Sequence, residues 1–156
     1  MALLLYEEIN SSFLGKVTDY DFVDLTDDEF ASTMLEKLHT VLSKPYCRRL
    51  FSTLLFDDEN QQIEYTLKLT TTEDEDSDFV TEMLSLGMVI EWIEPQLNSK
   101  RIMQQLITSN KESKFYSQAQ HLSSMQSTYD ACVKKQRDLI RDRGFIYNSY
   151  LGGANG

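Results

Sequence analysis

Apolar side chains recur at helical spacing through most of the chain and alternate at period two in one stretch. Phe30, Met34, Leu35, Leu38, Val41 and Leu42 form a single stripe at three-four spacing. Thr26-Asp27-Asp28-Glu29 precedes it as a capping box, and Pro45 ends the helix near Ser43 or Lys44. From Leu50 to Phe56 the chain is compactly apolar, Asp57-Asp58-Glu59-Asn60 is a turn-like cluster, and Ile63, Tyr65, Leu67 and Leu69 then alternate with polar residues. That pattern predicts a β-hairpin with one buried face, with a helix and loop as the alternative. The segment Phe79 to Ile93 is apolar on more than one face, which predicts a central helix contacted from several sides. It is expected to begin within the acidic stretch 70–78, where carboxylates favour a helix start, and to end at Glu94 before Pro95. Gly87 in its middle costs about 1 kcal/mol relative to alanine, and close approach of a neighbouring backbone is the expected reason.

Beyond Pro95, Asn98 is positioned to cap a short helix that turns Ile102, Met103, Leu106 and Ile107 inward. Ser117-Gln118-Ala119-Gln120 is a further capping box and opens the longest helix. Leu122, Met125, Tyr129, Cys132, Gln136 and Leu139 give it a coiled-coil-like seam with one polar member. Gly144 is expected to close it after Arg141 and Arg143. At 1.5 Å per residue the helix spans roughly 40 Å. The first 25 residues are mixed: Leu4, Ile9, Phe13 and Leu14 suit a short helix broken at Gly15, and Tyr20, Phe22 and Leu25 an extended piece. The expected fold is mainly α, a bundle of about four helices with a long C-terminal helix, a small hairpin near 50–69 and an extended tail. Residues 1–144 form one helical domain in this reading, and 145–156 a docking tail.

Composition sharpens the picture. The 156 residues include only two prolines and six glycines, four of the glycines at or after Gly144, so the body is poor in helix breakers. The net charge of −10 is unevenly spread: residues 1–99 hold 21 acids and 6 bases, residues 100–156 hold 4 acids and 9 bases. Such a split fits head-to-tail contact between copies, and separate solvated helix faces account for it equally well. The apolar start, Ala2 to Tyr6, is too short for a signal sequence, and no run approaches the ~20 residues that span a bilayer. Cytoplasmic synthesis and two buried, reduced thiols at Cys47 and Cys132 are therefore expected.

Searching for chemistry yields no catalytic, cofactor-binding or metal-ligating set. His39 and His121 are the only histidines, and neither has a partner at ligand spacing. Asp57-Asp58-Glu59 and Glu73 to Asp78 lack the alternating ligands and central glycine of a calcium loop. Arg48 and Arg49 follow Cys47, but one basic pair without a histidine is a weak activator of a thiol. No phosphate loop or nucleophile elbow occurs. Contact with other proteins is the function class left standing. Phe145, Tyr147, Tyr150 and Leu151, with Arg141 and Arg143 before them, are the expected partner-binding residues, because no later element exists to bury the aromatics.

Two stretches carry a family likeness: Phe13-Leu14-Gly15-Lys16-Val17-Thr18-Asp19-Tyr20-Asp21 leading into the Thr26 helix, and Met88 through Glu91-Trp92-Ile93-Glu94-Pro95 to Phe115-Tyr116-Ser117-Gln118-Ala119-Gln120-His121-Leu122. Together they resemble head–tail connector (neck adaptor) proteins of tailed bacteriophages. The resemblance implies a virion protein in a mainly α-helical ring, usually of twelve copies, beneath the portal protein and next to a tail or neck protein. In that setting DNA passes through the ring without sequence-specific binding, no membrane is involved, and the tail 145–151 docks on the portal. The hairpin at 50–69 departs from the simplest all-helical adaptor. An intracellular regulatory adaptor with one soluble partner is the alternative.

Overall fold

The computed structural model describes the backbone of residues 1–17, 25–107 and 112–145, and within it the side chains of 1–17, 25–100 and 120–144. Among the described residues there are five helices and three strands, and the fold is mainly α. In chain order these are β1 (Ala2–Leu5), α1 (Tyr6–Lys16), α2 (Asp27–Ser43), α3 (Pro45–Arg48), β2 (Phe51–Asp57), β3 (Gln62–Leu67), α4 (Glu73–Ile107) and α5 (Glu112–Phe145).

The hairpin forms where the alternation places it. β2 and β3 pair antiparallel, and Ile63, Tyr65 and Leu67 all point into the core. Strand β1 then adds to the free side of β3, giving the order β1-β3-β2. The apolar pattern places Leu4 in a short helix; the helix begins only at Tyr6, whose N–H donates to the Gln61 carbonyl at 2.8 Å. A four-residue apolar run has no period of its own, so only the available edge of β3 makes it a strand.

The capping box at the start of α2 is complete. Glu29 N–H donates to Thr26 Oγ1 at 3.3 Å, and the Glu29 carboxylate accepts from Thr26 N–H at 2.9 Å. Thr26→Ala is expected to lower stability by about 1 kcal/mol, read as a shift in the urea midpoint at unchanged slope.

Three expectations about the helices are corrected. Pro95 does not end α4, which runs on to Ile107 and absorbs the helix expected from Asn98. Proline removes one backbone bond and pushes on the preceding turn. Here Ile93 and Leu97 on either side are buried, α5 packs along α4, and Gln96 Nε2 donates to the Trp92 carbonyl at 3.2 Å. Helix α5 starts at Glu112 rather than Ser117, and at 34 residues it is about 50 Å long. Gly144 lies inside its last turn, which extends to Phe145.

Helix α4 is central, as its all-round apolarity predicts. Val80, Met83, Leu84, Met88 and Val89 are fully buried among α1, α2 and α5. Gly87 serves close packing, but against side chains rather than backbone. A β-carbon there would lie 2.5 Å from Val41 Cγ1 and 2.9 Å from Gln136 Nε2. Gln136, the polar member of the α5 seam, is buried and donates to the Met83 carbonyl at 3.1 Å.

Candidate docking groove

Helices α4 and α5 run antiparallel, so the basic end of α5 meets the acidic start of α4. Arg143 bonds through Nη2 to the Asp76 carboxylate and, at 3.0 Å, to the Leu69 carbonyl. Its guanidinium carbon lies 4.5 Å from the centre of the Phe79 ring. Both side chains of this ion pair are nearly buried, at 10% and 11% exposure. Burial raises the Asp76 carboxyl, but bonds from the Thr71 N–H and hydroxyl and from Arg143 outweigh it, and the net shift is downward. Part of the charge asymmetry in the sequence is thus consumed inside the molecule.

Beside this junction α3 holds Tyr46 and Arg49 against the two long helices. Pro45 at its first position starts the short turn and fixes the direction in which Tyr46 leaves the chain. Between α3, α4 and α5 lies a groove of about 710 Å³. Its floor is Tyr46, Ile90, Tyr129, Val133 and Ile140. Its rim carries Lys44 paired to Glu91 at 3.2 Å, Arg141 paired to Asp138 at 3.2 Å, and also Arg49, Glu94 and Arg137. Hydrogen bonding to Glu91 raises the Lys44 pKa, and burial is the largest cause raising the pKa of the Tyr46 and Tyr129 phenols. A second, mostly apolar cavity of about 390 Å³ holds Leu50, Leu67, Leu69 and Phe79, and shares Arg49, Ile140 and Gly144 with the first. The two form one continuous surface at the end of α5.

Of the residues singled out in the sequence, Arg141 is exposed on the groove rim, whereas Arg143 turns inward and is engaged by Asp76. Phe145 is the last residue of α5. Tyr147, Tyr150 and Leu151 lie outside the described residues. The groove itself was missed. Its signal is a second apolar column on α5, Val133 and Ile140, one residue beyond Cys132 and Leu139 of the seam that packs on α4, with Tyr129 shared between the two.

The remaining reactive residues are held by packing. Cys47 is fully buried, and burial pushes its thiol up to about 12 against the opposing effect of Arg48. In the native protein Cys47 is expected to resist a thiol reagent such as Ellman's disulfide at pH 8 and to react at once in guanidinium, which a stopped-flow trace reads directly. His39 stacks on Phe56 at 4.3 Å, and its Nε2 lies 3.1 Å from Asp58. The same carboxylate accepts from the Tyr6 hydroxyl at 2.5 Å, tying α1 and α2 to the hairpin turn. Among the described residues no group of three or more His, Cys, Asp or Glu is placed to hold a metal ion, and no helix is long and apolar enough to cross a membrane. Comparison with known proteins finds no matching family, no matching curated protein and no matching solved structure.

Proposed function

We propose that this chain works by contact, as a non-enzymatic structural subunit of a repeated assembly, and that the assembly is the neck of a tailed bacteriophage. In this reading copies form a ring, of twelve by analogy with connector proteins, beneath a portal protein. The ring joins the capsid to a tail or neck protein and surrounds the passing DNA. The neck identity rests on the resemblance of residues 13–21 and 88–122 to connector proteins.

The observation that supports contact is the presence of two separate apolar surfaces on one small body. One is the groove at the end of α5. The other is the outer face of the sheet, where Leu3 and Leu55 flank Glu64 in register and are 53% and 55% exposed, with Leu5 next along β1. Among the described residues, both outer strands, β1 and β2, also have an unpaired edge. A ring subunit needs two such surfaces, one for its neighbour and one for the component above or below. Isolated exposed leucines are ordinary, whereas aligned ones on an open sheet mark a contact face.

Light scattering on the purified chain, with antibody detection in purified virions, tests this reading. A multimer that dissociates on Leu55→Asp, and a signal in particles, are expected. A strictly monomeric chain absent from particles overturns it.

A further inference from the structure

A third cavity lies on a different face of α4 and shares no lining residue with the docking groove. The end of α1, the middle of α4 and the first half of α5 enclose it, and its volume is about 340 Å³. Small-molecule sites run from about 300 to 1,000 Å³.

Charge is sorted here against the trend of the chain. The sequence holds 25 acids and a net charge of −10. Yet among the described residues no aspartate or glutamate lines this cavity, whereas Lys16, Lys100 and His121 do. Lys16 is already neutralised: its ammonium lies 2.8 Å from the Glu82 carboxylate and 3.0 Å from Ser12 Oγ. Lys100 is not. It is half-buried, its Nζ donates to Met125 Sδ at 3.2 Å, and no carboxylate among the described residues pairs with it. A thioether is a weak acceptor for a group with three strong donors. Withdrawing an ammonium from water without a counter-charge is also unfavourable. The contact reaches from α4 to α5 and so holds the ammonium beside the cavity.

The surroundings of that cation set the rest of the ligand. Val89 and Ile93 are buried and give the cavity an apolar base, and Trp92 lines it half-buried beside them. Flat rings pack favourably on an indole. Ser124 and His121, exposed at the mouth, bring further hydrogen-bonding groups.

We infer that this cavity binds a small organic anion: a carboxylate, sulfonate or phosphate group paired with Lys100, carried on a ring that packs against Trp92. The site stands apart from the docking groove and does not depend on any assembly role.

The probe is naphthalene-2-sulfonate, with uncharged naphthalene-2-sulfonamide as its control. Trp92 is the only tryptophan, so its indole N–H gives one cross-peak in a proton–nitrogen correlation spectrum of the full chain. The sulfonate is expected to shift that peak saturably, with a Kd on the order of 0.1 mM. The sulfonamide binds about tenfold more weakly or worse, the effect of losing a charge-assisted hydrogen bond. Lys100→Gln brings the sulfonate down to the level of the sulfonamide, Lys100→Arg keeps most of its affinity, and circular dichroism checks that helix content is retained. Val133→Asp, in the docking groove, leaves the affinity as it was. The absence of a saturable shift, equal affinity for the two probes, or sulfonate binding indifferent to Lys100→Gln overturns the inference. A shift abolished by Val133→Asp overturns it too, because the probe then sits in the groove. The comparison of the two probes needs no variant, so the test stands even if a substitution unfolds the chain.

Discussion

Arg143→Met lowers the stability of the fold by about 3–5 kcal/mol, the effect of stranding one member of a buried ion pair. The substitution leaves the Asp76 carboxylate with the Thr71 N–H and hydroxyl, and the Leu69 carbonyl loses its guanidinium donor. The contact over the Phe79 ring goes too. Urea denaturation followed by circular dichroism reads the loss. Asp76→Asn added to Arg143→Met recovers part of it, because asparagine still offers an oxygen to Thr71 without leaving a buried charge unpaired. The pH dependence follows from the direction of the Asp76 shift. Its folded pKa lies below its unfolded value, so its contribution is fully present above the ordinary carboxylate range and is lost as pH falls through the folded pKa. Asp76→Asn is therefore expected to flatten the acid limb of the stability curve and to leave the shape of the alkaline limb unchanged.

Gly87→Ala destabilises the chain by about 1–3 kcal/mol, although alanine is the better helix former by about 1 kcal/mol. The added methyl collides with Val41, which is fully buried and β-branched, so it has little rotamer freedom with which to yield. It also presses on the Gln136 amide, the same group that donates to the Met83 carbonyl. A buried amide without its partner adds its own desolvation cost. Val41→Ala combined with Gly87→Ala restores part of the lost stability, since the second change vacates the space the first one fills. Additive losses in a thermal-melt cycle would show that the contact with Val41 is not the cause.

Both predictions depend on contacts between α4 and elements distant in sequence, and this divides what was legible from what was not. Thr26 with Glu29, the alternation from Ile63 to Leu67, and the all-round apolarity of Phe79 to Ile93 are local signals, and the structure realises each of them. Capping spans four residues and strand alternation six or seven, so no long-range information is needed to read them. Gly87 was recognised as a packing glycine, yet which atoms press on it depends on Val41 and Gln136, brought in from two other helices.

Elsewhere the tertiary structure decided. Ala2–Leu5 is a strand because β3 has a free edge, and α4 passes through Pro95 because α5 packs alongside it. Arg141 and Arg143 look equivalent in the sequence. One stays on the surface and the other is buried only because α4 presents Asp76 at the level where α5 ends. The groove is likewise a property of three elements, and its α5 wall reads in isolation as an ordinary second apolar column. The sequence by itself determined a helical body with a hairpin, an acidic first part and a basic last helix. Only the packing decided which charges neutralise each other and which apolar faces stay open, because both depend on the distance between residues some fifty or more positions apart along the chain.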